Sequence, residues 1–150
     1  MELDQRVNTL TKQLTNISNT QERCKRFRTV LGVGPMVPTA LYIAMGDPRC
    51  YKNGREFAAF LGLVPRQYGT GGKIVLKGIS KRGDKHTRTL LVQGAQAALS
   101  KMHKRDDQLS RWACRIKERR GHNIAAVALA NKLARICWAL ASNNTEFKLV

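Results

Sequence analysis

The stretch from Asn123 to Ala141 is apolar on nearly every side of the helix it predicts. Ile124, Val127, Leu129, Leu133, Ile136, Trp138 and Leu140 run around the whole circumference, and only Asn131, Lys132 and Arg135 interrupt them. A helix without a polar face has to be surrounded by other elements. The rest of the chain must therefore wrap a central helix, and the predicted fold is mainly α. No segment reaches the ~18 uninterrupted apolar residues of a membrane-spanning helix, so burial within the protein and no membrane partner are expected.

Several segments can supply the wrapping. Asp84 to His103 places Leu90, Leu91, Ala95, Ala98, Leu99 and Met102 on one helical face. Asp106 or Asp107 can cap a following helix, whose Leu109, Trp112, Ala113 and Ile116 face inward and which ends at Arg119-Arg120-Gly121. Upstream, LGVGPMVPTALYIAMGDP reads as a tight glycine turn, then an apolar helix through Ala40, Leu41, Ile43, Ala44 and Met45, stopped by Gly46-Asp47-Pro48. Pro35 suits the first turn of that helix, and Pro38 sits there less comfortably. A short helix from Asn53 or Gly54 to Leu61 would bury Phe57, Ala58, Phe60 and Leu61 and stop at Gly62.

One β excursion interrupts the helices. RQYGTGGKIVLKG, after Pro65, has a glycine-rich turn and the β-favouring run Lys73-Ile74-Val75-Leu76, which predicts a small hairpin or extended basic loop. At the amino end, Leu3, Val7, Leu10, Leu14 and Ile17 alternate spacings of four and three, the seam of a coiled-coil-like helix. Two readings stay open there: pairing with a second helix, in a homo-oligomer or a longer relative, or packing on the chain's own domain. The expected organisation is a linker helix over residues 1–30, a helical domain over 31–142 and a frayed tail over 143–150.

Charge bounds the partners. Twenty-seven Lys and Arg against ten Asp and Glu give a formal net charge of +17, which expects a polyanion. Between Leu63 and Arg105 ten Lys/Arg accompany a single acid, Asp84. Cys24, Cys50, Cys114 and Cys137 form no CxxC or CxxH pair, so no metal site is expected and reduced thiols of a cytoplasmic protein are the reading. The start MELDQRVNTL has no basic-then-apolar pattern of a signal peptide. His86, His103 and His122 have no ligand spacing, and the carboxylates form no cluster of the kind two-metal phosphodiester chemistry needs.

The segment KGISKRGDKHTR, from Lys77 to Arg88, concentrates the problem. Ser80 sits among Lys77, Lys81, Arg82, Lys85 and Arg88, with Lys73 just upstream. It has three readings: a helix cap or turn residue, a phosphate-contacting hydroxyl, or a nucleophile. The turn GVGP, with Gly32 and Gly34, is similar to the hairpin of helix-hairpin-helix elements, in which amides at a helix start hold a phosphate.

Taken together, GVGP, the GDP after the first apolar helix, FxxxLGLVPRQ, GTGGK, ISKRGD with Arg88 following, and Gly121-His122-Asn123 closely resemble the C-terminal domain of insertion-sequence transposases of the one-ten and eleven-eleven families. The likeness runs from about Leu31 to Ala141, and the last motif favours the eleven-eleven branch. It implies DNA transposition, with a serine of this domain attacking a DNA phosphodiester and a ribonuclease-H-like N-terminal domain supplying four acids for Mg2+. It implies DNA as partner, together with a structured guide RNA from the element. By position, Ser80 is the implied nucleophile, and Lys73, Lys77, Lys81, Arg82, Lys85, Arg88, Gly32 and Gly34 are candidate nucleic-acid contacts. Because the acidic domain is absent from this sequence, the expectation is a truncated remnant of a bacterial mobile element. The alternatives are a stand-alone regulator of a full-length transposase and a fragment that complements a separate acidic domain.

Overall fold

The computed structural model describes residues 1–150. Seven helices and one hairpin follow in order: α1 (Glu2–Thr20), α2 (Glu22–Arg28), α3 (Val37–Met45), α4 (Gly54–Phe60), β1 (Pro65–Thr70), β2 (Lys73–Ile79), α5 (Lys85–Met102), α6 (Gln108–Arg120) and α7 (His122–Asn143). The apolar helix is central, as its pattern requires: α2, α4, α5 and α6 all pack on α7. Ala126, Leu129, Leu133 and Cys137 of α7 are fully buried. By length and composition alone α7 could cross a membrane, but half of its apolar window is covered by the other helices.

Two side chains of α7 tie neighbouring loops to the core helix. Asn131 donates from Nδ2 to the Leu63 carbonyl at 2.9 Å, tying the segment after α4 to the core helix. Trp138 donates from Nε1 to the Pro48 carbonyl at 3.0 Å and fixes the turn that Asp47 caps.

Local signals set most boundaries. Asn53, Asp84 and Asp107 cap α4, α5 and α6 by accepting from backbone amides of the first turn. Gly71 and Gly72, both at positive φ, make the two-residue turn that pairs Thr70 with Lys73 and Tyr68 with Val75. Residues 65–78 of the hairpin expose both faces, so its ladder projects from the helical body.

Four expectations need correction. The first helix is two helices, broken at Gln21, which is extended at φ −80° and ψ 120°. Cys24, Phe27 and Val30 must enter the core, and the weak helix formers Asn19 and Thr20 let the chain turn toward it. Helix α3 begins at Val37, so Pro38 lies at the start of the helix, where its missing amide costs nothing, and Pro35 lies outside. Phe60 is 46% exposed. The tail is held: Phe147 N donates to Thr29 Oγ1 at 3.1 Å, and Gln108 N donates to the Val150 carbonyl at 2.9 Å.

The junction between the end of α4 and the loop before α5 is built backbone on backbone. Ser80 N donates to the Val64 carbonyl at 2.8 Å and Lys81 N to the Gly62 carbonyl at 3.1 Å. A Cβ at Gly62 would collide with the Arg82 carbonyl, and one at Gly83 with the Phe60 carbonyl; both glycines have positive φ. Only glycine permits so close an approach. Buried Arg88 completes the junction, donating from Nη1 to the Leu61 carbonyl at 3.1 Å and to the Arg82 carbonyl at 3.4 Å.

Two stability predictions follow from this geometry. Gly62→Ala and Gly83→Ala combine an unfavourable φ, about 1–2 kcal/mol, with overpacking of about 1–3 kcal/mol, so each should lower stability by roughly 2–5 kcal/mol in urea titrations. Gly71→Ala, whose Cβ would meet open space, should cost only about 1–2 kcal/mol.

Asp84 is held below the usual carboxylate range, first by the hydroxyl of Thr87 and then by the amides of Thr87 and His86, against the opposing effect of burial. Its stabilisation is therefore complete above the ordinary value near 4 and is lost as pH falls through the lower folded-state value. Asp84→Ala should cost about 1 kcal/mol at neutral pH. Thermal melts from pH 7 to 2 should show a smaller acid-induced loss in this variant than in the parent.

Candidate nucleic-acid interface

Ser80 occupies the peptide immediately after β2 and is half-buried. Its amide is fixed by the Val64 carbonyl, and its Oγ accepts from Arg82 N at 3.4 Å, closing a small turn. The helix cap that Ser80 could have provided is Asp84, which accepts from His86 N at 2.9 Å and Thr87 N at 3.4 Å. Ser80 thus keeps a turn role, with one long hydrogen bond on its oxygen. Lys81 next to it has φ +56°, a left-handed conformation that costs a side-chain-bearing residue about 1–2 kcal/mol.

The candidate cations divide by position. Lys77, Lys81, Arg82 and Lys85 are exposed around Ser80, and none is in an ion pair. Lys73 stands at the far end of the hairpin, opposite Thr70. Lys77 Nζ lies 4.7 Å from the centroid of Tyr68 on the neighbouring strand. Arg88 is 9% exposed, with its guanidinium committed to the two junction carbonyls, so it acts behind the loop.

Gly32 and Gly34 lie apart from this group. Gly32, at φ +92°, packs against α5: a Cβ there would come 3.1 Å from Ala98 Cβ and 3.2 Å from Leu133 Cδ1. Its neighbour across the contact, Gly94, is ten residues beyond Asp84, roughly 15 Å along α5. The glycine turn therefore serves the core at Gly32, while Gly34 has open space around it.

The structure adds a feature that the motifs do not announce. A groove of about 1010 Å³ runs between the hairpin and α7, and Ile79 and Lys81, on either side of Ser80, both line it. Its cations are Arg66, Lys77, Lys81, Arg120, Lys132 and Arg135, and no acid lines it. Lys132 and Arg135 looked like mere interruptions of an apolar helix. With Ile124, Val127, Ala128 and Asn131 they keep the three- and four-residue spacing of one helical face. Burial, and then the adjacent Arg135 charge, push the Lys132 ammonium below its ordinary pKa.

No three His, Cys, Asp or Glu side chains converge to hold a metal ion. The Mg2+ implied by the resemblance has no ligand set among these residues.

Comparison with known proteins agrees with the motifs. Residues 24–111 match the family described as Transposase IS116/IS110/IS902. A protein of Pseudomonas aeruginosa named "Probable family 20 transposase" is 44% identical over 146 residues, covering 97% of this chain and 43% of its own length. The transposase for insertion sequence element IS1111A of Coxiella burnetii is 40% identical over 97% of this chain and 40% of its own length. The transposase for insertion sequence element IS1328 of Yersinia enterocolitica is 40% identical over 97% of this chain and 43% of its own length. The chain thus spans about two fifths of these bacterial relatives. With the family match extending over more than half its residues, this chain belongs to the IS116/IS110/IS902 family of transposases.

Proposed function

We propose that this chain is the DNA-handling portion of a transposase and that Ser80 addresses a DNA phosphodiester. The observation that carries this reading is the contrast at the junction: the backbone around Ser80 is fixed by Val64, Gly62 and Arg88, while Lys77, Lys81, Arg82 and Lys85 face solvent around it. A hydroxyl on a fixed backbone, flanked by exposed cations, suits a reaction governed by positioning and charge stabilisation.

In the attack, Ser80 Oγ forms a bond to phosphorus as the bond from phosphorus to one nucleoside oxygen breaks, and that oxygen departs as the new strand end. The cations offset charge on the non-bridging oxygens. No carboxylate is hydrogen-bonded to Ser80 Oγ, and Asp84 is engaged by the α5 amides and Thr87. The proton acceptor and the metal-binding acids are accordingly assigned to a separate acidic domain. Arg88 is a positioning residue in this scheme, and Lys73 meets the DNA at a distance from the reacting phosphate.

Duplex DNA binding should weaken steeply between 50 and 200 mM salt, with log affinity falling by about 0.9 per phosphate contact for each tenfold rise in salt, or about 0.5 per contact over that interval. Ser80→Ala should bind with unchanged affinity, yet form no covalent protein–DNA product when assayed with an acidic domain from a relative. Salt-independent binding, or an undiminished covalent product from the alanine variant, would overturn the proposal.

A second reading, regulation of a longer transposase through mixed oligomers, is favoured by one observation. Leu3, Val7 and Leu10 of α1 are 76%, 59% and 59% exposed, although their spacing forms a seam. Sedimentation should show self-association, or association with a full-length relative, that Leu10→Glu abolishes; a parent chain that stays monomeric at high concentration alone and beside that relative would exclude it.

A further inference from the structure

Resting on the reading that Ser80 addresses DNA, we propose that the groove between the hairpin and α7 holds an unpaired DNA strand leading away from Ser80. Lys132, Arg135 and Arg120 contact its phosphates, and Trp112 and Ile124 receive its bases.

Three features support this assignment. The groove passes beside the serine peptide, because Ile79 and Lys81, the residues on both sides of Ser80, line it. Its charge is of one sign: six Lys/Arg, no Asp or Glu, and no ion pair within the structure to neutralise any of the six. Lys132 and Arg135 lie three residues apart on one helical face, where burial and then the Arg135 charge disfavour the Lys132 ammonium, and a bound anion would favour it.

The floor selects the form of the polyanion. Pro65, Ile79, Val127, Trp112 and Ile124 are apolar, and Ile124 is 49% exposed although it lies on the core helix. A duplex presents sugars and phosphates on its outside and would leave this floor in water. An unpaired strand presents base faces, whose stacking on an aromatic side chain contributes about 1–3 kcal/mol per base. Trp112 is half-buried and has Lys132 Nζ 4.1 Å from its ring centroid, so a phosphate that draws the ammonium off the ring uncovers that face for a base. A volume of about 1010 Å³ with an open side is at the top of the range of about 300–1,000 Å³ typical of small-molecule sites and suits a short run of nucleotides.

The test uses the full chain with a labelled single-stranded DNA, the same sequence as duplex DNA and as single-stranded RNA. Single-stranded DNA should bind most tightly and should quench tryptophan fluorescence. Lys132→Gln with Arg135→Gln should weaken single-strand binding about tenfold and reduce its salt slope by about 1.4, at 0.7 per lost contact, while duplex binding changes less than about twofold. Trp112→Phe, which retains an aromatic packing group, should lose most of the quench with an unchanged melting temperature. Equal effects of the double substitution on single strand and duplex, tighter binding of RNA than of DNA, or a full quench in Trp112→Phe would each overturn the assignment. Salt-dependent duplex binding in the parent separates failure of the groove from failure of the broader reading, since only the latter predicts its loss.

Discussion

Two glycines, Gly62 and Gly83, let two loops approach so closely that each meets the other's carbonyls. From that contact follow the hydrogen bonds of Ser80 and Lys81 to Val64 and Gly62, and the buried place of Arg88 behind them. Burying a guanidinium is costly unless its donors are used, and the carbonyls of Leu61 and Arg82 use Nη1. The loop could not keep its cations outward without this arrangement. Charge repulsion among Lys81, Arg82 and Lys85 works against any compact form of so basic a segment, and backbone hydrogen bonds resist it regardless of salt.

Helix α7 serves two environments. Its buried face, through Ala126, Leu129, Leu133 and Cys137, is the centre of the core. Another face, through Ile124, Val127, Asn131, Lys132 and Arg135, is one wall of the cationic groove. The same helix therefore fixes the geometry of the charged surface with the rigidity of a packed interior. Asn131 links the two by holding the Leu63 carbonyl, close to the point where the chain enters the junction.

Much of this was legible in the sequence wherever a local rule acts alone. The caps at Asn53 and Asp107, the turn at Gly71-Gly72 and the central position of α7 follow from side-chain hydrogen bonding, positive φ and hydrophobic periodicity, whereas the cap of α5 falls to Asp84 and not to Ser80. The break at Gln21 did not, because it depends on the direction in which Cys24, Phe27 and Val30 find the core. Nor did the return of the tail to Thr29 and Gln108, which joins residues far apart in the chain. FxxxLGLVP and ISKRGD were visible as separate motifs; that their glycines are two halves of one contact is a tertiary fact. The burial of Arg88 and the alignment of Lys132 and Arg135 toward the hairpin are of the same kind.

The hairpin meets the body without a linker. Pro65 pairs with Ile79, and the next rung is the bond from Ser80 N to the Val64 carbonyl. Beyond that root the two strands are exposed on both faces to the Gly71-Gly72 tip. The hairpin is thus a lever whose fulcrum is the serine peptide itself. Between tip and root the register of the ladder shifts at Pro65 to Gln67, so the strand bends one step before the bond that holds the Ser80 amide, and the direction in which the tip leaves the body is set at the serine's own doorstep.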